Sequence, residues 1–201
     1  MRQYVPNMLT ILRFPFTIVF LYGSFQSSVD WRIIASLFFL LSMLTDLLDG
    51  ITARRWDAES KFGSFLDPLA DKFLVLAGFF VLLTRPDLHW GAWNLWVLGS
   101  VIIIAVREFA VTILRSWKVK SGSPLVTSIW GKAKTMVQMV TLITGLLILN
   151  IRDLSMFEIP GILNLIAFGI VLSALLALIS ATDYFRTSQN SSPESVSNRN
   201  S

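Results

Sequence analysis

Four aspartates, Asp46, Asp49, Asp67 and Asp71, stand in the stretch TDLLDGITARRWDAESKFGSFLDPLAD, beside long apolar runs. An aspartate at mid-membrane costs ~2.5–3.5 kcal/mol, less near an interface. Four anions in one pocket also repel one another unless cations lie between them. The pattern therefore points to bound metal. Oxygen-only ligands favour hard ions, and Mg²⁺ or Mn²⁺ with retained waters suits them best. Two such ions, spaced to clamp a phosphate, assist in-line phosphoryl displacement. A neighbouring carboxylate can take the proton of an attacking alcohol as general base. The chain has no cysteine, and His89 is its only histidine, which excludes thiolate sites and His-rich zinc or copper clusters.

These residues need elements to hold them. The 201-residue chain is 54% hydrophobic and 15% charged, and several runs reach the ~20 residues that cross a ~30 Å hydrocarbon layer. Spans are predicted near 8–25, 32–50, 66–84, 93–114, 132–150 and 160–183. With the N-terminus inside, the inner segments hold twelve Lys and Arg, whereas the outer ones hold only Arg32, Arg85 and Arg152. That bias predicts an all-α, six-span membrane protein with both termini cytosolic. The basic net charge of +4 follows this topology, so a nucleic-acid partner is not expected. Arg13 interrupts the first apolar run and no small-x-small site follows Phe20, which argues against a cleaved leader. One membrane domain is expected over residues 1–186, and a Ser/Asn-rich disordered tail over 187–201.

Asp46 and Asp49 are spaced i, i+3 near the end of the second span, and Asp67 and Asp71 i, i+4 near the start of the third. Each pair shares a helix face. The short connection predicts antiparallel neighbours, with all four groups at similar depth. Gly50 allows close approach of a ligand, whereas Gly50, Ala53 and Gly63 could equally serve helix packing. Asp57, Glu59 and Asp183 suit ordinary surface acids.

The order Asp46-x-x-Asp49-Gly50-x-x-Ala53-Arg54, then Gly63-x-x-x-Asp67-x-x-x-Asp71, resembles the complete signature of the CDP-alcohol phosphotransferases. The resemblance implies a six-helix membrane fold, usually a homodimer, that displaces CMP from a CDP-linked lipid with an alcohol. It implies a two-ion site held by Asp46, Asp49, Asp67 and Asp71, with Asp71 also taking the acceptor's proton. It implies that Asn7, Thr10, Gly50, Ala53, Arg54, Ser60 and Gly63 line the CDP-diacylglycerol site. Arg54 suits a bidentate phosphate contact on physical grounds as well.

The acceptor is read from the fourth and fifth spans. Arg107, Arg115, Lys132 and Lys134 could form a basic pocket for a phosphate. Arg107 and Arg115, eight apart, lie within about 80° on a helix, whereas Lys132 and Lys134 reach one pocket only if the helix begins there. Structurally, Arg107 could instead pair with Glu108 or with a carboxylate of the cluster, and Lys118 and Lys120 suit lipid headgroups. The runs Arg107–Phe109 and Trp130–Thr135 resemble the bacterial branch that joins CDP-diacylglycerol to glycerol 3-phosphate, which implies a cell-membrane enzyme facing the cytosol. Related branches, of the cardiolipin synthase or phosphatidylinositol phosphate synthase type, use other acceptors. A divalent-cation transporter would spread its acids through the membrane depth, and an intramembrane prenyltransferase would place two Asp-rich motifs on well-separated helices.

Overall fold

The computed structural model describes residues 4–56, 61–86, 88–120, 129–155 and 160–190. They form six α-helices, α1 (Tyr4–Ser24), α2 (Val29–Trp56), α3 (Lys61–Thr84), α4 (Asn94–Lys120), α5 (Ile129–Ser155) and α6 (Ile162–Asn190). A 3-10 turn at Gly91–Trp93 leads into α4. Each expected span falls on one helix, and most helices run several residues past their apolar stretch. α6 continues through Asn190, past the point where the tail was expected to begin, and residues 191–201 lie outside the described set.

Among the described residues, three segments, Gly91–Leu114, Ile129–Ser155 and Ile162–Thr182, are long and apolar enough to cross a membrane, and α1 offers a shorter apolar stretch, Thr10–Ser24. Arg13 and Pro15 break its pattern. α2 and α3 carry the acids that lower their hydropathy.

The chain divides into two compact units. Unit 1 comprises Met1–Gly91 and Leu142–Ile166, and unit 2 comprises Ala92–Thr141 and Ala167–Ser201. In unit 1, among the described residues, α1 packs along α2 and less extensively on α3. α1 buttresses both. Lipid tails are as apolar as leucine, so close packing rather than hydrophobic gain holds such helices together. A Cβ at Gly23 would lie 2.8 Å from the Trp31 carbonyl oxygen and 3.0 Å from the Ala35 Cβ, so α1 and α2 meet almost backbone to backbone. Phe20 stacks on Phe39 beside this contact, with ring centroids 5.0 Å apart.

Unit 2 is built differently. Its apolar interior, with Val97, Ile104, Ile170 and Ala174, also contains buried Glu108, Lys134, Gln138, Thr141, Ser173 and Ser180. The Thr141 and Ser173 hydroxyls lie 3.5 Å apart, joining α5 to α6.

Candidate active site

α2 runs unbroken through Asp46, Asp49, Gly50, Ala53 and Arg54, and α3 through Gly63, Asp67 and Asp71. The expected i, i+3 and i, i+4 pairs therefore occupy helical positions about 60° and 40° apart. Ser60 lies outside the described residues, and the side chains of Asn7, Asp49, Ala53, Arg54, Asp67 and Arg115 lie outside the described side chains.

The described part of the site centres on α1. Arg13 is fully buried, and its Nη1 lies 2.7 Å from Asp46 Oδ1. The next residue, Phe14, packs on Phe73 of α3, with ring centroids 5.9 Å apart. Phe73 is two residues beyond Asp71. Adjacent residues of α1 thus touch α2 at Asp46 and α3 two residues from Asp71. Thr10, three residues before Arg13, is also buried. Asp71 has Lys72 Nζ 3.5 Å from its Oδ2.

Arg13 is the member of this site that sequence reasoning missed. Its signal was present: a lone cation inside an apolar run costs free energy and calls for a partner. Asp46 keeps 37% of its side chain exposed although its cation is buried. Among the described side chains no three metal-ligating groups come together, Asp49 and Asp67 standing outside that set. The donor chemistry that is described, carboxylate oxygens with open faces at Asp46 and Asp71, fits a hard divalent ion.

Unit 2 holds a second ionic cluster. Lys134 Nζ donates to Glu108 Oε1, and both side chains are buried. Arg107 Nη1 reaches the same oxygen at 3.5 Å, and its Nη2 donates to Ser180 Oγ. Arg107 and Lys134 therefore converge, with Glu108 between them. This is the structural pairing anticipated for Arg107, extended to a second cation. Glu108 itself was visible in the sequence only as that pairing alternative. Lys132 does not join them. α5 begins at Ile129, so a two-residue step turns the chain by about 200°, leaving Lys132 exposed and Lys134 buried. One turn beyond Lys134, buried Gln138 has an Nε2 with no hydrogen-bond partner among the described residues.

Comparison with known proteins gives concordant results. Residues 3–176 match the CDP-alcohol phosphatidyltransferase family. A Haemophilus influenzae protein named CDP-diacylglycerol–glycerol-3-phosphate 3-phosphatidyltransferase is 33% identical over 196 residues, covering 95% of this chain and 96% of the relative. An Escherichia coli K12 protein of the same name is 38% identical over 141 residues, covering 69% and 74%. Among solved structures, Mycobacterium tuberculosis phosphatidylinositol phosphate synthase in apo form superposes with a TM-score of 0.60 at 20% identity. That match covers 90% of this chain and 87% of the other. It establishes likeness of fold.

Proposed function

The chain belongs to the CDP-alcohol phosphatidyltransferase family, and from that premise we propose that it transfers the phosphatidyl group of CDP-diacylglycerol to glycerol 3-phosphate. The products are phosphatidylglycerol phosphate and CMP. One observation carries this reading. Over 95% of its length the chain resembles a relative named for that reaction, and it keeps every position of the carboxylate signature on α2 and α3.

The chemistry follows from the residues. The acceptor hydroxyl attacks the phosphorus that bears the diacylglycerol; the bond to the CMP phosphate oxygen breaks, and CMP leaves. Asp71 accepts the hydroxyl proton. Asp46, Asp49, Asp67 and Asp71 would hold two Mg²⁺ or Mn²⁺ ions. When bound, these supply positive charge that offsets the pyrophosphate oxygens and the leaving group. Arg13 fixes the orientation of Asp46 from the buried side, leaving its open face to the ligand. Arg54 holds a donor phosphate, and the lack of a side chain at Gly50 lets the nucleotide approach. Asn7, Thr10, Ala53, Ser60 and Gly63 complete the donor site.

For the acceptor, Arg107 and Lys134 are the cations that hold its phosphate, with Arg115 supporting them. Lys132, exposed on α5, would reach that phosphate only from outside this pair. Glu108 keeps Lys134 in place, and Gln138 offers an amide donor one turn further along α5. The functional unit is a homodimer of six-span chains in the cell membrane, both termini and the carboxylates on the cytosolic face. The charge bias of the segments and the family resemblance support that arrangement.

The test is CMP release by purified protein from CDP-diacylglycerol, with glycerol 3-phosphate, glycerol, inositol phosphate and phosphatidylglycerol as acceptors. Glycerol 3-phosphate is expected to be used best and glycerol poorly, because glycerol leaves the basic cluster without its phosphate. Preference for inositol phosphate or phosphatidylglycerol would move the protein to another branch. Absence of CMP release with every acceptor would remove the reading.

A further inference from the structure

Polar side chains inside a membrane protein hydrogen-bond across helices, because hydrocarbon offers them no other partner. On α5 the buried positions Lys134, Gln138 and Thr141 follow one another at i, i+4 and i+7, so they form one polar stripe in the interior of unit 2. Two members of the stripe are engaged. Lys134 Nζ donates to Glu108 Oε1, and the Thr141 hydroxyl lies 3.5 Å from that of Ser173. Between them Gln138, only 1% exposed, has an Nε2 with no hydrogen-bond partner among the described residues. An amide nitrogen carries two donor hydrogens. Burying it unpaired costs free energy that an apolar residue of similar shape would avoid. Packing therefore does not account for a glutamine here, whereas a ligand oxygen does.

The position of Gln138 indicates which oxygen. It follows Lys134 by one turn, a rise of about 6 Å with a rotation of about 40°, next to the cations read above as holding the acceptor's phosphate. A glycerol backbone reaches about 5 Å from its ester oxygen at ~1.5 Å per bond, which is the same scale. Of its two hydroxyls, the primary one is the less hindered nucleophile. It must keep a lone pair for phosphorus while its proton passes to Asp71, and a donor on that oxygen would oppose the attack. The secondary hydroxyl does not react, and its oxygen can accept.

We propose that Gln138 is a specificity residue for the acceptor, its Nε2 donating to the secondary hydroxyl of glycerol 3-phosphate. This rests on the reading of Arg107 and Lys134 as the phosphate cations, and adds the group that recognises the polyol part of the molecule. Cations alone do not tell one phosphorylated alcohol from another. A buried amide does, because an acceptor without the hydroxyl leaves it unpaired, and a site built to bond a hydroxyl rejects the analogue that lacks it.

CMP release by the purified full-length protein with glycerol 3-phosphate and with 3-hydroxypropyl phosphate tests this. The second compound keeps the primary hydroxyl and lacks the secondary one. The parent should favour glycerol 3-phosphate about tenfold or more in kcat/KM. Gln138→Leu and Gln138→Met should lose that preference through the glycerol 3-phosphate value and use the two acceptors nearly equally. Methionine keeps the unbranched length of glutamine and serves where leucine disturbs packing. Each variant replaces an unpaired donor with apolar atoms, so the melting temperature without substrates should not fall. A preference absent from the parent, or retained in both variants, would overturn the assignment while CMP release with glycerol 3-phosphate leaves the proposed reaction intact. A lower melting temperature with an unchanged preference would make Gln138 structural. No CMP release by the parent with either acceptor would remove the reaction, and this inference with it.

Discussion

The helices of unit 1 carry an arginine–aspartate contact toward each end, and the two contacts are built in opposite senses. At the Asp46 end the cation, Arg13, is buried while the acid is open, and Asp49, Asp67 and Asp71 add further acids on α2 and α3. At the Asp153 end the acid is buried, Arg85 with it, and two of its three cations, Arg32 and Arg152, are partly exposed. In each case a buried group anchors a more exposed one of opposite charge. The more exposed group is thus an acid at the Asp46 end and a base at the Asp153 end. The same two residue types are thus arranged in opposite senses through burial alone.

The largest effect should come from removing the proton acceptor at the acid-rich end. Asp71→Asn keeps the shape but cannot act as base, so kcat should fall by about 10²–10⁴-fold. Donor affinity, followed by equilibrium binding of a CDP-lipid analogue, should remain measurable. Near-parental kcat would assign the proton elsewhere.

At the opposite end the expected effect is on stability. Asp153→Asn leaves Arg85 buried without its carboxylate, and breaking a buried pair typically costs about 3–5 kcal/mol. The melting temperature should drop while divalent-ion affinity stays at the parental level. A loss of ion affinity equal to that in Asp46→Ala would mean the two ends are not independent.

Unit 2 sharpens the contrast, because there both charges are buried. Lys134→Ala should raise the glycerol 3-phosphate KM about ten- to a hundredfold, for ~1.5–3 kcal/mol, with the donor KM unchanged. A lower melting temperature with an unaltered acceptor KM would make the Glu108–Lys134 pair purely structural. The smallest effect belongs to exposed Lys132, where alanine should change stability and the acceptor term by less than about 0.5 kcal/mol.

The sequence made the helices legible because apolar runs and their interruptions are local signals. It also made the carboxylate signature legible, since that depends only on spacing along α2 and α3. Contacts between distant segments were not readable. Arg85 and Arg32 reach Asp153 across 68 and 121 residues, and in the sequence these arginines register only as exceptions to a charge bias. Arg13 was conspicuous as a cation in an apolar run, but nothing local singled out Asp46 as its partner. Lys132 and Lys134 look equivalent in the sequence. The start of α5 at Ile129, ahead of the span expected from 132, separates them. The short link between α2 and α3 suggested direct packing, but nothing local showed that α1 also packs on both.

Divalent-ion binding tests most directly whether the acid-rich end of unit 1 is built for cations. Mn²⁺ titrated into purified protein and followed by electron paramagnetic resonance counts bound ions without requiring turnover. Two ions per chain are predicted for the parent, with binding weakened in Asp46→Ala and retained in Arg152→Gln. Parental Mn²⁺ affinity and stoichiometry in Asp46→Ala would contradict the assignment of this end as the metal site.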